Sequence, residues 1–118
     1  MKTLLTILLL TSIASAQWTL MAYNEDSRLE MYNTYTAHAD NTVTIWARWT
    51  MKTGGKWTPA GKSLLLIDCD DYGWIFKRVI TAQGKVAKTN DKWTFFKEGQ
   101  IGYIASKKIC DDNAGSNR

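Results

Sequence analysis

Two cysteines, Cys69 and Cys110, constrain this chain more than any other feature of its sequence. Cys69 follows an apolar run and stands among three carboxylates, Asp68, Asp70 and Asp71. It is a candidate thiol nucleophile, a candidate metal ligand, or one half of a disulfide. The compartment helps to decide among these roles, because disulfides persist in exported proteins and are rare in the cytosol.

The N-terminus has the three parts of a secretory signal peptide. Lys2 supplies the positive start, an apolar run begins at Leu4, and small residues stand at 14–16. The apolar run is too short to span a bilayer, which takes about 20 residues, so a membrane anchor is disfavoured. We predict a signal peptide over residues 1–16 and a mature chain that begins at Gln17. No cysteine follows this cleavage site, so no lipid anchor is expected.

An exported chain with two cysteines has one intramolecular pairing, Cys69 with Cys110. A loop of that length is worth about 4 kcal/mol in the chain-entropy model. A catalytic cysteine needs a histidine partner, and the only histidine is His38, far from other catalytic signals. The aspartates lack the calcium-loop pattern and a zinc ligand set is missing, so residues 70–73 are predicted as a turn. We expect no catalytic residues, no metal and no cofactor.

The region after the signal peptide is typical of a small antiparallel β-sheet. In the segment 42–49, Val43, Ile45, Ala47 and Trp49 alternate with Thr44, Trp46 and Arg48. The predicted strands are 18–23, 28–32, 42–49, 62–69 and 72–80. The segment from Met51 to Gly61, with its glycine pair and the only proline, is predicted as an exposed hairpin loop.

The last element is a predicted amphipathic helix. Ile101, Ile104, Ala105 and Ile109 stand at helical spacing, and the helix is predicted to end at Cys110. The predicted fold class is therefore α+β, an antiparallel β-sheet with a C-terminal amphipathic helix tied to it by one disulfide. The domain is predicted over 17–110, with a polar tail over 111–118.

The chain resembles the surface-adhesin protein E family of small exported bacterial proteins. The matching residues are Trp18, Tyr32-Asn33, Thr36, Val43 to Trp46, Lys62-Ser63-Leu64, Ile67-Asp68-Cys69, Gly84, Trp93, Gly99 and Cys110. The resemblance implies a β-sheet flanked by a C-terminal helix, with the two cysteines bridged. It also implies an adhesin of the cell envelope, since the best-known member binds host matrix glycoproteins.

Basic residues are concentrated in the second half of the chain. The segment 77–108 has eight basic and two acidic residues, whereas 17–76 has five basic and seven acidic. Such asymmetry attracts acidic partners. For an exported protein these are acidic glycans, lipopolysaccharide phosphates or acidic protein surfaces. Nucleic acid is not an expected partner, because export removes the chain from the cytosol. A solvated face that serves only solubility is an equal alternative.

The chain has six tryptophans, a residue type enriched at interfaces. Trp49 and Trp74 are predicted in the core. Trp57 is the best candidate for an exposed contact, and Trp46 is the second, unless it lies under the helix. The candidate binding residues are Lys52, Lys56, Trp57, Lys85, Lys88, Lys92 and Lys97.

These observations predict an exported, periplasmic or secreted protein that is not an enzyme. Its expected function is adhesin-like binding of an acidic macromolecule or a host matrix protein. The alternative is a periplasmic inhibitor of a hydrolase such as lysozyme, acting through a protruding loop. The acidic stretch 68–71 would suit a basic enzyme, and the basic segment 77–108 would not. No membrane-spanning segment is expected in the mature chain.

Overall fold

A computed structural model describes residues 17–116 of the chain. The predicted signal peptide, 1–16, lies outside the described residues. The described part contains eight strands and one helix. The elements are β1 (Trp18–Tyr23), β2 (Ser27–Tyr32), β3 (Thr36–Ala37), β4 (Thr42–Thr53), β5 (Lys56–Asp68), β6 (Gly73–Thr81), β7 (Val86–Ala87), β8 (Thr94–Phe95) and α1 (Ile101–Ser116).

All eight strands belong to one antiparallel sheet in the order β1-β2-β4-β5-β6-β7. The short strand β3 pairs with the beginning of β4, and β8 pairs with the beginning of β6. Short turns join β1 to β2, β4 to β5 and β5 to β6, whereas residues 33–41, which include β3, connect β2 to β4. The α+β class, with an antiparallel sheet and a single C-terminal helix in the described chain, is confirmed.

Strict alternation along the two central strands builds the core. Val43, Ile45 and Ala47 of β4 are buried, and their partners across the ladder include Ile67 and Leu65 of β5. Successive side chains of a strand point to opposite faces, so these residues form one apolar face of the sheet. This face is the one that α1 covers.

The helix is held to the sheet by apolar packing and one buried hydrogen bond. Ala105 and Ile109, on the sheet-facing side of the helix, are buried. The Trp74 indole N–H donates to the Ser106 hydroxyl at 2.7 Å, and both side chains are buried. The ring of Phe96 meets Trp74 edge-on, with centroids 4.7 Å apart. A buried indole needs such an acceptor, so Trp74 fixes both the position and the register of the helix. The prediction that Trp74 is a core residue is confirmed.

The predicted disulfide between Cys69 and Cys110 is present, with its two Cα atoms 5.6 Å apart. Cys69 directly follows β5, and Cys110 lies within α1. The bridge therefore ties the last element of the chain to the end of a central strand. The described residues contain no free cysteine.

The hairpin between β4 and β5 differs from its prediction. The segment from Met51 to Gly61 is mostly strand, and only Gly54 and Gly55 form the turn. The bulge that pairs Thr50 with Pro59 disturbs the alternation, so the period-two signal is lost although the ladder continues. Gly61 has φ +120°, and a Cβ there would lie 2.5 Å from the Ile80 carbonyl oxygen, so this position requires glycine.

The helix also runs further than predicted. It continues past Cys110 to Ser116, into the segment that is predicted from the sequence as a polar tail. Two polar contacts hold this extension. Lys107 Nζ lies 2.9 Å from Asp111, and the Tyr35 hydroxyl donates to Asp112 at 2.7 Å. The spacing of apolar residues did not predict this extension, because the contacts that hold it are between polar side chains.

Candidate functional site

The sheet face opposite α1, called the open face below, carries a mixture of aromatic and cationic side chains. Its position follows from the same alternation that builds the core. Trp46 stands between the buried Ile45 and Ala47, and Arg48 follows Ala47, so both side chains point away from the helix. Trp46 pairs across the ladder with Leu64, and Arg48 pairs with Lys62. Trp46 therefore does not lie under the helix, which decides between the two predicted positions.

An aromatic cluster occupies the centre of the open face. Trp18 and Tyr32 meet edge-on with ring centroids 5.2 Å apart. The Arg48 guanidinium lies 4.5 Å from the Trp18 ring centroid, and the Lys62 ammonium lies 5.6 Å from that of Trp46. Cations over aromatic rings are attracted by about 0.5–1 kcal/mol at exposed sites. These three contacts therefore place flat rings and positive charges side by side.

A bidentate ion pair fixes the Arg48 guanidinium. Its Nε and Nη2 atoms lie 3.1 and 3.2 Å from the two carboxylate oxygens of Glu30. Both side chains are partly exposed, so this pair adds at most about 1 kcal/mol to stability. Its main effect is geometric, because a forked pair restricts the orientation of the guanidinium.

Three adjoining clefts form a groove along the open face. The central cleft, about 160 Å³, is lined by Trp18, Tyr32, Trp46 and Lys62. A cleft of about 490 Å³ adjoins it at Lys62, beside Arg48 and Glu30. A third cleft of about 320 Å³ adjoins it at Tyr32 and Trp46, and its lining includes Thr34, Thr36 and Thr44. We call the three together the Trp46 groove.

The first group of predicted binding residues lies on the β4–β5 hairpin. Lys52 pairs with Trp57 across the ladder, and Lys56 pairs with Thr53 beside the turn. The Trp57 ring is half-buried, with the Arg28 guanidinium 3.9 Å and the Lys52 ammonium 6.0 Å from its centroid. The Trp57 ring therefore interacts with two cations, Lys52 of the same hairpin and Arg28 of β2.

The second group, Lys85, Lys88, Lys92 and Lys97, lies along the outer edge of β6. Lys85 and Lys88 flank β7, and Lys92 and Lys97 flank β8. Both short strands pair with β6, so the four exposed lysines are distributed along one sheet edge. The structure thus separates the predicted residues into a hairpin group and an edge group.

Sequence reasoning missed Trp18, Tyr32, Arg28, Arg48 and Lys62 as site residues. They come from β1, β2, β4 and β5, and only the strand register brings them together. The one signal available was the placement of Trp46 and Arg48 on the same predicted face. The residues that neighbour Trp46 and Arg48 on other strands could not be predicted, because a single sequence does not show which distant strands pair or in what register.

The acidic stretch that surrounds Cys69 is built into a turn. The Tyr72 amide donates to the Asp68 carbonyl at 2.8 Å, and the Asp70 amide donates to the Asp68 carboxylate at 2.9 Å. The Asn41 side-chain amide donates to the Asp70 carboxylate at 2.8 Å. The predicted turn is confirmed, with Gly73 as the first residue of β6. Among residues 17–116, no three His, Cys, Asp or Glu side chains are placed to hold a metal ion.

Two groups outside the groove have perturbed acid–base equilibria. The Thr42 hydroxyl donates to the Asp40 carboxylate at 2.6 Å, and this hydrogen bond lowers the pKa of Asp40 below its usual value. The hydrogen bond to Asp111 raises the pKa of Lys107 above its usual value. Neither side chain lines the clefts of the open face.

Comparison with known proteins supplies no relative. No protein-family model matches this chain, and no curated protein or solved structure gives a significant match. In the described part of the chain, no helix has the length and apolar character to cross a membrane.

Proposed function

We propose that this chain is an exported bacterial cell-envelope protein that binds an acidic macromolecule in the manner of an adhesin and is not an enzyme. The observation that carries the proposal is the interleaving of Arg48 and Lys62 with Trp18 and Trp46 on the open face. Aromatic and arginine side chains are enriched at binding interfaces, and a helix-free sheet face gives them a flat support.

Charge on the open face supports an acidic partner. By strand alternation, five cations point to this face: Arg28, Arg48, Lys52, Lys62 and Arg78. Glu30 and Asp68 are the carboxylates that alternation places there. The cations therefore exceed the carboxylates, and the exposed lysines of the β6 edge extend the positive field around the sheet. Such a field speeds the encounter with a polyanion.

The resemblance to the surface-adhesin protein E family supports the same proposal. It implied a sheet, a C-terminal helix and a disulfide between Cys69 and Cys110, and all three are features of this fold. Membership of that family, export to the periplasm or beyond, and adhesin-like binding are proposed together.

The test measures binding of the protein to immobilised dextran sulfate at increasing salt. The triple variant Lys85→Glu, Lys88→Glu, Lys92→Glu should bind more weakly and lose part of the salt dependence, because fewer charge contacts remain to be screened. Its circular dichroism should be unchanged, since all three lysines are exposed. Lys107→Gln, on α1, is the control and should bind like the wild type. Absence of binding by the wild type would disprove the proposal.

Inhibition of a hydrolase such as lysozyme is the second candidate. The observation in its favour is the β4–β5 hairpin, whose strands continue beyond the last β5–β6 pair, Gly61 with Thr81. The hairpin carries Lys52 and Lys56, which suits an acidic enzyme cleft better than a basic one. A lysozyme turbidity assay with and without the protein separates this candidate from simple polyanion binding.

A further inference from the structure

We infer that the ligand of the open face is an acidic polysaccharide, bound along the Trp46 groove with a sugar ring against Trp46 and an acid group at Lys62 and Arg48. The inference rests on the proposed function and names the ligand class of the same site. It is carried by the chemistry of the groove lining, which differs from that of the β6 edge.

The shape of the groove fits an extended polymer. Its three clefts follow one another along β4, from Thr50 and Arg48, past Trp46, to Thr44. The six steps from Thr44 to Thr50 span about 20 Å at 3.4 Å per residue. Neighbouring clefts share lining residues, Lys62 on one side and Tyr32 with Trp46 on the other, so the three lie side by side along β4.

The lining offers each kind of contact that an acidic sugar polymer makes. Trp18, Tyr32 and Trp46 supply flat apolar surfaces, against which the C–H face of a pyranose ring can pack. Threonine hydroxyls and the Glu30 carboxylate supply acceptors and donors for sugar hydroxyls. Lys62 and the fixed Arg48 guanidinium supply charge for a carboxylate or sulfate.

This combination favours a polysaccharide over an acidic protein or a phosphate. A phosphate needs the cations and gains little from three rings. An acidic peptide that binds by strand addition needs a free sheet edge, whereas the central strands that line the groove already pair on both sides. The β6 edge has one exposed ring pair, Trp93 stacked on Phe95, but in the described chain none of its lysines lies over a ring, so its charge attracts any polyanion.

The lysine over the aromatic ring explains how charge and ring recognition are coupled. Lys62 is exposed, and its ammonium lies 5.6 Å from the Trp46 centroid. An entering sugar ring takes the place of the lysine over the indole. The displaced ammonium stays beside the ring, where it meets the sugar's own acid group. A neutral sugar would displace the Lys62 ammonium from the ring without offering it an acid group to pair with.

The experiment measures the affinity of the protein for three matched probes by isothermal titration calorimetry. The probes are an oligogalacturonate, its methyl ester, which has the same rings without charge, and a poly-glutamate of equal charge without rings. We expect the oligogalacturonate to bind at least about tenfold more tightly than either control, because only it satisfies both rings and cations.

Variants locate the binding site. Trp46→Ala should weaken oligogalacturonate binding about tenfold, and Lys62→Gln about fivefold. Trp46→Phe keeps a ring and should retain most of the affinity, which guards against loss of folding in the alanine variant. Trp93→Ala removes an exposed aromatic ring near β8 and is the matched control, expected to bind like the wild type.

The outcomes separate this inference from the proposed function. If poly-glutamate binds as tightly as oligogalacturonate, or Trp46→Ala has no effect while the β6-edge variant still weakens binding, the protein binds polyanions and the polysaccharide inference is overturned. If none of the probes binds, the polysaccharide inference is overturned, and the dextran sulfate measurement decides the proposed function separately. If sedimentation shows a dimer that Trp46→Ala dissociates, the open face is a self-association surface and the inference is overturned as well.

Discussion

The hydrogen bond between Trp74 and Ser106 is the most consequential single contact between helix and sheet. The Ser106 hydroxyl accepts from the indole at 2.7 Å and donates to the Gly102 carbonyl at 2.7 Å, so it is fully engaged in a buried place. Its replacement would leave the indole N–H without an acceptor, which costs more than the hydrogen bond itself contributes.

Ser106→Ala should therefore lower the free energy of unfolding by about 1–3 kcal/mol. Urea denaturation followed by tryptophan fluorescence measures the loss. In a Trp74→Phe background the same substitution should cost clearly less, because no indole remains to be satisfied. An equal loss in both backgrounds would show that the indole bond is not the cause.

At the scale of elements, α1 contains a residue that helix propensity disfavours but packing against the sheet requires. Gly102 lies in the first turn of the helix, where glycine is unfavourable. A Cβ there would lie 2.5 Å from the Phe96 ring, which packs against Trp74. The absence of a side chain at Gly102 therefore lets the helix lie close to the Phe96 and Trp74 rings beneath it.

The two helical glycines should respond oppositely to alanine. Gly115→Ala meets open space and should stabilise the protein by up to about 1 kcal/mol through helix propensity. Gly102→Ala should destabilise it by about 1–3 kcal/mol, because Phe96 must move. Paired urea denaturation curves measure both. A gain in stability from Gly102→Ala would contradict the close approach described for this residue.

Prediction from the sequence succeeded for elements that are long enough to repeat their pattern of apolar residues several times. Strand β1 was predicted with its observed bounds, and the core of β4 followed from alternation. Strands β3, β7 and β8 have two residues each, too few to show any period, and exist because a neighbouring strand offers free hydrogen-bonding groups.

The candidate site was only partly predictable for a related reason. Single exposed lysines such as Lys85 could be named from composition, because charge needs no partner to be recognised. The Trp46 groove depends on the register that joins Trp18, Tyr32 and Lys62 across four strands. Register is fixed by long-range pairing and by bulges, which a single sequence does not display.

At the scale of the whole molecule, the disulfide compensates for a small core. The described domain has one apolar sheet face covered by one helix, and a domain of about 100 residues buries a limited fraction of its surface. The Cys69–Cys110 bridge restricts the unfolded chain over a separation of 41 residues. It therefore stabilises the entire domain as well as the helix.

Replacement of both cysteines, Cys69→Ser with Cys110→Ser, should lower the free energy of unfolding by about 4 kcal/mol in the chain-entropy model. Chemical denaturation of the wild type and the double variant measures the difference. Reduction of the wild type should reproduce the loss, which separates it from the effect of the new hydroxyls. A change well below about 1 kcal/mol would show that the bridge does not restrict the unfolded state.

The position of α1 at the end of the chain has a consequence for incomplete products of synthesis. Every strand of the sheet precedes Gly99, whereas the cover of the core and the second sulfur come after it. A product that stops short of Cys110 would expose Val43, Ile45 and Ile67 and retain an unmatched thiol at Cys69. Such products would aggregate or join in covalent pairs, and chains that include the helix and Cys110 avoid both outcomes.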